Sequence, residues 1–282
     1  MEIVLALVSA LLFALATVLQ QKAGFAAPSP GASSGLLLRM ARRPVWVAGI
    51  ACDALGFIAQ AAALGVGRLA VVQPLLVASV VFALPLGVRL TGQRVHRIDV
   101  AAAALVVAAL VAFVTIASPA GGRGEAPLGD WLVAMVVCAG VCLPLVLLAR
   151  NGPTPRRAAL LAAAAGILFA LSAALTKAVV DELHSGVVHV IGSWELYALA
   201  AVGYVSMTLN QLALNTGALA ATLAASTALD PIASLVLGLA LFDESPRSGG
   251  LQVVGTLAAL AAALVGMVML ARAEAHVPTP AP

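Results

Sequence analysis

Residues 131–149 have the sequence WLVAMVVCAGVCLPLVLLA, an apolar stretch without a charged side chain. At the 1.5 Å rise of an α-helix, about 20 residues cross the roughly 30 Å hydrocarbon core of a bilayer. Similar blocks recur along the 282-residue chain, in which 62% of residues are hydrophobic and 10% are charged. Soluble domains carry about 25% charged residues. We therefore expect an all-α fold, a polytopic bundle of transmembrane helices.

The apolar blocks predict nine spans, separated by turns rich in Gly and Pro. The predicted spans are 3–22, 44–64, 69–91, 98–118, 131–149, 157–180, 194–214, 217–242 and 249–271. Segment 32–43 is predicted to be an interfacial loop, with a tenth, partial span as the open alternative. Trp46, Trp131 and Trp194 each lie in the first turn of a predicted span, which is where indole rings anchor at the headgroup level.

The basic residues are distributed unevenly between the two predicted faces. One face carries eleven of them, namely Lys22, Arg39, Arg42, Arg43, Arg89, Arg94, Arg97, Arg150, Arg156, Arg157 and Arg272. The other face carries Arg68, Arg123, Lys177 and Arg247. By the positive-inside rule the first face is cytoplasmic, so the N-terminus lies outside and the C-terminus inside. Helical spans of this kind predict a multi-pass protein of the inner (plasma) membrane.

The sequence repeats itself at a spacing of about 150–156 residues. Leu12-Phe13-Ala14-Leu15 is matched by Leu168-Phe169-Ala170-Leu171, and residues 63–70 match residues 213–220 at five of eight positions. The first repeat, 1–118, holds spans 1–4, and the second, 157–271, holds spans 6–9. Residues 119–156 contain the linker span 5, and 272–282 form a disordered cytoplasmic tail. Five crossings separate equivalent positions, so the repeats are inverted, as in secondary transporters.

The chain resembles the drug/metabolite transporter (EamA-like) superfamily. Each half has an Ala-Leu span end, a Gly-containing turn, a proline within the next span and a short polar turn. These features fall at Ala63-Leu64, Gly67, Pro74 and 91–94 in one half, and at Ala213-Leu214, Gly217, Asp230-Pro231 and 243–245 in the other. The resemblance covers nearly the whole chain and implies transport of a small solute by alternating access.

Within this superfamily the chain is most similar to the nine-span NIPA-type magnesium transporters. The shared features are Pro44-Val45-Trp46, Gly49, Gly56, residues 72–75 (Val-Gln-Pro-Leu) and a lysine, Lys22, that ends the first span. That family typically has a glutamate after the second glycine, where this chain has Phe57. The resemblance implies Mg²⁺ as a substrate, and the missing carboxylate counts against it.

Two aspartates lie deep inside predicted spans. An ionised side chain at the bilayer centre costs about 2.5–3.5 kcal/mol and is by default functional. Asp230 lies near the middle of span 8 and Asp53 in span 2. Pro231 removes a backbone donor beside Asp230, which predicts a broken helix with freed carbonyls. We expect Asp230 and Asp53 to bind a substrate or a proton, or a metal ion if the cation hypothesis holds.

Neutral polar residues and two lysines complete the predicted site. Amides and hydroxyls suit a polar metabolite or a hydrated ion, but they serve equally as contacts between helices. The predicted substrate- or proton-site residues of this type are Gln60, Asn210, Gln211, Ser226 and Thr227. Lys22 and Lys177 end spans 1 and 6, and each is expected to gate or to pair with Asp53 or Asp230, with snorkelling to the interface as the alternative.

These features together predict a secondary transporter rather than an enzyme. The chain contains no Gly-x-Ser-x-Gly, phosphate-binding or His-Glu-x-x-His motif, and no cofactor is expected. The alternatives are an Mg²⁺ or other divalent cation transporter, and a non-transporting assembly or lipid-binding membrane protein. The expected partners are the lipid bilayer and a small-molecule or cation substrate, with a homodimer left open and nucleic acid not expected.

Overall fold

A computed structural model describes residues 1–25, 43–91, 97–117, 126–151, 153–214, 216, 219–244 and 250–274. Regular structure within these ranges is helical throughout. The α-helices are α1 (Glu2–Phe25), α2 (Pro44–Val66), α3 (Leu69–Leu76), α4 (Ala78–Thr91), α5 (Arg97–Ala117), α6 (Leu128–Ala149), α7 (Thr154–Glu182), α8 (Val187–Gly192), α9 (Trp194–Leu214), α10 (Leu219–Phe242) and α11 (Gly250–Glu274). A 3₁₀ turn, Leu183–Ser185, joins α7 to α8.

The helices coincide with the predicted apolar segments. Within the described residues every predicted span is helical, and the ends agree to within three residues. Most of the predicted loop at 32–43 lies outside the described residues. The predicted third span, 69–91, is not one continuous helix, because α3 and α4 are separated at Val77.

Proline explains this break. Pro74 has no N–H with which to continue the ladder of hydrogen bonds within the helix. The N–H of Val77 donates to the carbonyl of Pro74 at 3.2 Å, which closes a tighter turn before α4 begins. The prediction of a broken helix at Asp230–Pro231 is wrong, because α10 is continuous through Pro231. The break therefore lies in the first half of the chain, about one helical turn after Gln73.

The chain is a helical membrane protein. Six helical stretches of the described residues are long and apolar enough to cross a bilayer, namely Glu2–Gln20, Pro44–Val66, Leu69–Leu90, Arg97–Ile116, Leu128–Ala149 and Thr154–Glu182. Ala228–Phe242 and Gln252–Gly266 are shorter apolar helical stretches. Large apolar side chains face outward from these helices, for example Val133 and Val136 on α6. Such a surface suits lipid rather than water.

Helix α7 lies at the centre of the bundle and packs against α6, α9, α10 and α2. Its inward positions are mostly Ala, Leu and Gly, which allow neighbouring helices to approach closely. A Cβ atom on Gly166 would lie 2.7 Å from the backbone oxygen of Ser226 in α10. This contact leaves no room for any larger side chain at position 166.

Two further close contacts hold the remaining helices. Helix α2 packs on α1, where a Cβ atom on Gly56 would lie 2.9 Å from the Phe13 ring and the Ser9 hydroxyl donates to the Gly56 carbonyl at 2.8 Å. Helix α11 packs on α5, where a Cβ atom on Gly266 would lie 2.7 Å from a methyl group of Val106. Small residues thus define these interfaces as well.

The tryptophans lie in the first turns of α2, α6 and α9, as the sequence predicts. However, Trp131 is only 2% exposed. Its ring packs edge-on against Trp194, with centroids 5.7 Å apart, and against Phe242 at 6.1 Å. Trp131 is therefore part of the core at this end of the bundle, and its predicted role as a lipid-facing anchor is wrong.

Candidate solute cavity and the ion pair at its end

A cavity of about 840 Å³ lies between α1, α2, α3, α4, α7, α9 and α10. Its volume falls within the roughly 300–1,000 Å³ of small-molecule binding sites. The polar residues that line it are Asp53, Gln60, Gln73, Ser79, Ser172, Thr176, Tyr204, Ser206 and Asp230. All seven helices belong to the predicted spans 1–3 and 6–8, so residues from both halves of the chain meet at one space.

Two carboxylates give the cavity its charge. Asp53 is an exposed residue of α2, and Asp230 is a half-buried residue of α10. The Ser234 hydroxyl donates to Oδ1 of Asp230 at 3.3 Å. The described residues that line the cavity include no Lys, Arg or His. Whenever these carboxylates are ionised, the cavity therefore carries a negative charge that no basic side chain in its lining offsets.

Gln73 is the most deeply buried amide of the cavity. The residue is 3% exposed, and its Nε2 atom has no hydrogen-bond partner among the described residues. The Ser172 hydroxyl in the same lining also lacks a described partner. A buried donor without a partner costs about 1–3 kcal/mol, so such a group usually meets a water molecule or a ligand.

Aromatic side chains form much of the apolar lining. They are Phe13 of α1, Phe57 of α2, Phe169 of α7 and Tyr204 of α9. The whole chain has only 3 Trp, 2 Tyr and 7 Phe, so these residues are concentrated at the cavity. Aromatic rings contact apolar groups and also attract cations over their faces.

An ion pair lies beside one end of the cavity. The ammonium of Lys177, at the end of α7, is 3.1 Å from Oε1 of Glu244. The same ammonium donates to the Gly67 carbonyl at 2.6 Å and lies 5.1 Å from the centroid of the Phe242 ring. Glu244 is fully buried and Lys177 is 8% exposed. Thr176, next to Lys177 in sequence, lines the cavity.

Glu244 also holds the first turn of α3. Its Oε1 accepts a hydrogen bond from the Leu69 N–H and its Oε2 accepts one from the Ala70 N–H, each at 2.9 Å. The preceding residue, Arg68, makes no side-chain cap of its own, and its N–H donates to Glu2 at 2.9 Å. Carboxylates near a helix N-terminus satisfy its free N–H groups and its partial positive charge. Glu244 thus joins α3, α7 and the end of α10.

The structure brings some of the predicted site residues together and leaves others apart. Asp230, Asp53 and Gln60 line the cavity. Of the other predicted residues, Asn210, Gln211 and Ser226 are described but do not line it, while the Thr227 side chain lies outside the described residues. Ser226 donates to the Thr222 carbonyl at 3.1 Å, which is the bond within its own helix that Ser and Thr commonly make.

The two predicted lysines differ. Lys22 is an exposed residue near the end of α1. Lys177 is buried in an ion pair, but its partner is Glu244 rather than the predicted Asp53 or Asp230. From the sequence, Glu244 is predicted only to be part of a polar turn. A carboxylate that closely follows an apolar helix was the available signal, yet its partners are at least 67 positions away in sequence.

The described residues contain no group of three or more His, Cys, Asp or Glu side chains placed to hold a metal ion. The three cysteines are free thiols, and Cys138 and Cys142 are buried in α6. Asp53 and Asp230 are therefore the carboxylates available to a cation inside the cavity.

Comparison with known proteins finds a relative that matches almost the whole chain. No family model matches the chain, and no solved structure matches it. A protein of Corynebacterium glutamicum, the uncharacterized protein Cgl0250/cg0304, is 31% identical over 274 residues, which cover 96% of this chain and 95% of that protein. Similarity at this level over almost the whole of both chains shows common descent. The chain therefore belongs to the same protein family as this uncharacterized corynebacterial protein.

Proposed function

We propose that the protein is a secondary transporter of the drug/metabolite type, which moves a small solute across the inner membrane by alternating access. The observation that carries the proposal is the 840 Å³ cavity, which contains Asp230 and Asp53 and is lined by helices from both halves of the chain. A protein with only a structural role needs no such space. A non-transporting membrane protein is expected to have a dry, closed core, so a polar cavity that reaches Asp230 counts against that alternative.

The contacts between helices support the inverted repeat. Helix α1 packs on α2 and α4, and its counterpart α7 packs on α9 and α10. Helices α3 and α10, which are counterparts, contact each other, and so do α5 and α11. Two inverted copies around a pseudo-two-fold axis would produce these paired contacts. In this arrangement nine spans form two four-helix repeats joined by α6, with the N-terminus outside and the C-terminus in the cytoplasm.

We propose that the ion pair of Lys177 and Glu244 closes one end of the cavity. By the distribution of basic residues, this pair lies at the outer face, beside the cavity end that Gln73 and Thr176 line. Asp53, nine residues into α2 from its cytoplasmic start, lines the cavity nearer the other face. In the proposed cycle the ion pair closes the outer face, and opening that face requires the contacts of Glu244 to separate.

Side-specific labelling of a cysteine in the cavity tests this function without knowledge of the substrate. Ser79→Cys would be made in a background in which Cys52, Cys138 and Cys142 are replaced by Ala, and labelled with a membrane-impermeant thiol reagent in inside-out and right-side-out vesicles. We expect labelling from the cytoplasmic side, and from the outer side once Glu244→Gln is added. Val136→Cys, on the lipid-facing surface of α6, is the unlabelled control. If Ser79→Cys reacts from neither side, whether or not Glu244→Gln is present, the proposal is refuted.

A divalent cation such as Mg²⁺ is the second candidate substrate. The observation that favours it is the presence of two carboxylates and two amides in one cavity. Mg²⁺ keeps several of its waters in proteins and is typically bound through one or two carboxylates. Gln60 and Gln73 supply oxygen atoms that can accept hydrogen bonds from those waters.

A further inference from the structure

We propose that the cavity takes an organic amine, with its ammonium group at Asp230 and Asp53, its apolar body among the aromatic rings, and a hydrogen-bond acceptor at the Gln73 amide. The inference rests on the proposed transport function, since it takes the cavity to be the solute site. Three independent features of the lining support it, namely its charge, its apolar surface and its unpartnered donor.

The charge of the lining selects a cation. Asp53 and Asp230 are the ionisable acids of the cavity, and the described lining residues carry no basic group. The buried cation Lys177 is held by Glu244 and by the Gly67 carbonyl, and so does not neutralise either aspartate. An anionic solute would meet uncompensated carboxylates, whereas an ammonium group would form a charge-assisted hydrogen bond with them.

The size and apolar lining of the cavity select an organic solute over a small ion. The space of about 840 Å³ far exceeds the roughly 30 Å³ that one water molecule occupies in the liquid. Phe13, Phe57, Phe169 and Tyr204 enter it from four helices. Such rings offer little to a hydrated metal ion, but they bury an aliphatic or aromatic body and attract its cationic group.

The Gln73 amide adds a requirement for an acceptor. Gln73 is 97% buried and lines the cavity, and its Nε2 donor has no partner in the part of the chain that the structure describes. A hydroxyl or carbonyl oxygen on the solute would satisfy this donor. Gln73 is then a specificity-determining residue, because a site built to donate a hydrogen bond discriminates against analogues that lack the acceptor.

Matched solutes separate these requirements. The probes are 2-amino-1-phenylethanol, which has an ammonium and a hydroxyl group, 2-phenylethylamine, which lacks the hydroxyl, and 1-phenylethane-1,2-diol, which lacks the charge. MgCl₂ is a fourth probe. Binding would be measured by titration calorimetry with the purified full chain in nanodiscs, and uptake of the labelled solutes would be measured in proteoliposomes.

We expect both amines to bind, the diol not to bind, and the hydroxylated amine to bind best. Asp230→Asn should weaken both amines about tenfold or more, since it removes a charged partner. Gln73→Leu should weaken 2-amino-1-phenylethanol about two- to tenfold and leave 2-phenylethylamine unchanged, since it removes one neutral hydrogen bond. Gln252→Leu, at an exposed amide of α11 outside the cavity lining, is the matched control.

The folded state provides a second readout. Gln73→Leu removes a buried donor without a described partner, so the melting temperature of this variant should equal or exceed that of the wild type.

Equal binding of the diol and the amines, or binding of none of them, would overturn the proposal. So would an equal effect of Gln73→Leu on the two amines, which would mean that water satisfies the amide. Thermal stabilisation by MgCl₂ but by none of the organic probes, if lost in Asp230→Asn, would also overturn the amine proposal. In that case, labelling of Ser79→Cys from both sides would still support the transport function.

Discussion

The ammonium of Lys177 lies 3.1 Å from the carboxylate of Glu244, although 67 positions separate the two residues in sequence. Both side chains are buried, and the carboxylate also accepts hydrogen bonds from the first two N–H groups of α3. A residue two positions after the end of α10 therefore fixes the start of a helix in the other half of the chain. Removal of this carboxylate should weaken the fold and, under the proposed transport function, open the outer face.

Glu244→Gln should destabilise the protein by about 3–5 kcal/mol, because the Lys177 ammonium is left buried without an opposite charge. Lys177→Met combined with Glu244→Gln should recover part of this loss, since no unpaired charge then remains. The measurement is thermal unfolding in detergent, followed by the loss of the monodisperse chromatographic peak.

Glu195→Gln is the matched control, because it makes the same change from a carboxylate to an amide. Glu195 is a half-buried residue in the first turn of α9 and makes none of the contacts of Glu244 with Lys177, Leu69 and Ala70. The control should lose no more than about 1 kcal/mol, the contribution of an acidic side chain at a helix N-terminus. Equal losses of stability in Glu244→Gln and Glu195→Gln would mean that the ion pair contributes nothing to stability.

Gly166→Val should destabilise the bundle by about 1–3 kcal/mol or more, the range expected for overpacking of a tight core. Even a Cβ atom at this position would lie 2.7 Å from the backbone oxygen of Ser226, so α7 and α10 would have to separate. Gly140→Val is the matched control, because nothing lies within 4 Å of a Cβ atom at Gly140 on α6. Melting temperatures and yields of folded protein would be compared. A loss as large in Gly140→Val as in Gly166→Val would show that the effect comes from glycine replacement and not from helix packing.

The positions of the helices could be predicted from the sequence because the bilayer sets their length. An apolar stretch of about 20 residues is visible in one dimension, and the ends of α2 and α9 were predicted to within two residues. The presence of Asp230 and Asp53 in one cavity was also within reach, because an intramembrane carboxylate stands out against its apolar surroundings.

The contacts that depend on three-dimensional proximity could not be predicted. The partner of Lys177 lies after a different helix, and nothing local marks Glu244 as the cap of α3. Pro231 predicts a break in the helix at Asp230–Pro231, yet α10 remains helical there and the break follows Pro74 instead. Neighbouring helices decide whether a proline kinks or breaks a transmembrane helix, and the sequence alone does not contain them.

Mg²⁺ flux is the direct test of the divalent-cation alternative. Proteoliposomes with a trapped Mg²⁺-sensitive dye would be given an outward or an inward Mg²⁺ gradient under an imposed membrane potential. If Mg²⁺ binds at the two cavity carboxylates, Asp230→Asn and Asp53→Asn should each reduce the flux at least tenfold, since each removes one of two anionic ligands. Asp130→Asn, at the first turn of α6 and outside this cavity, should keep the wild-type flux. If the wild-type protein carries no Mg²⁺ flux in either direction, the organic amine remains as the candidate cationic substrate.

Trp131 provides a test of which side chains face lipid. The ring is 2% exposed and is enclosed by Trp194 and Phe242, whereas Trp46 and Trp194 are half-buried. In liposomes with brominated acyl chains, quenching should act on Trp46 and Trp194 and spare Trp131. Trp131→Phe should therefore raise the quenched fraction of the remaining tryptophan emission, and Trp46→Phe should lower it.

The same position should matter for stability. Trp131→Ala leaves a large void between α6, α9 and the end of α10, and the expected loss is about 3–5 kcal/mol. Trp131→Phe keeps an aromatic ring in contact with Trp194 and Phe242 and should cost less. The Phe242 ring also lies against the Lys177 ammonium. Loss of Trp131 should therefore loosen the outer face and increase labelling of Ser79→Cys from that side. The contrary outcome is a Trp131→Ala protein that melts like the wild type and a Trp131→Phe protein with the same quenched fraction as the wild type. The Trp131 ring would then face lipid and would not belong to an aromatic core at this end of the bundle.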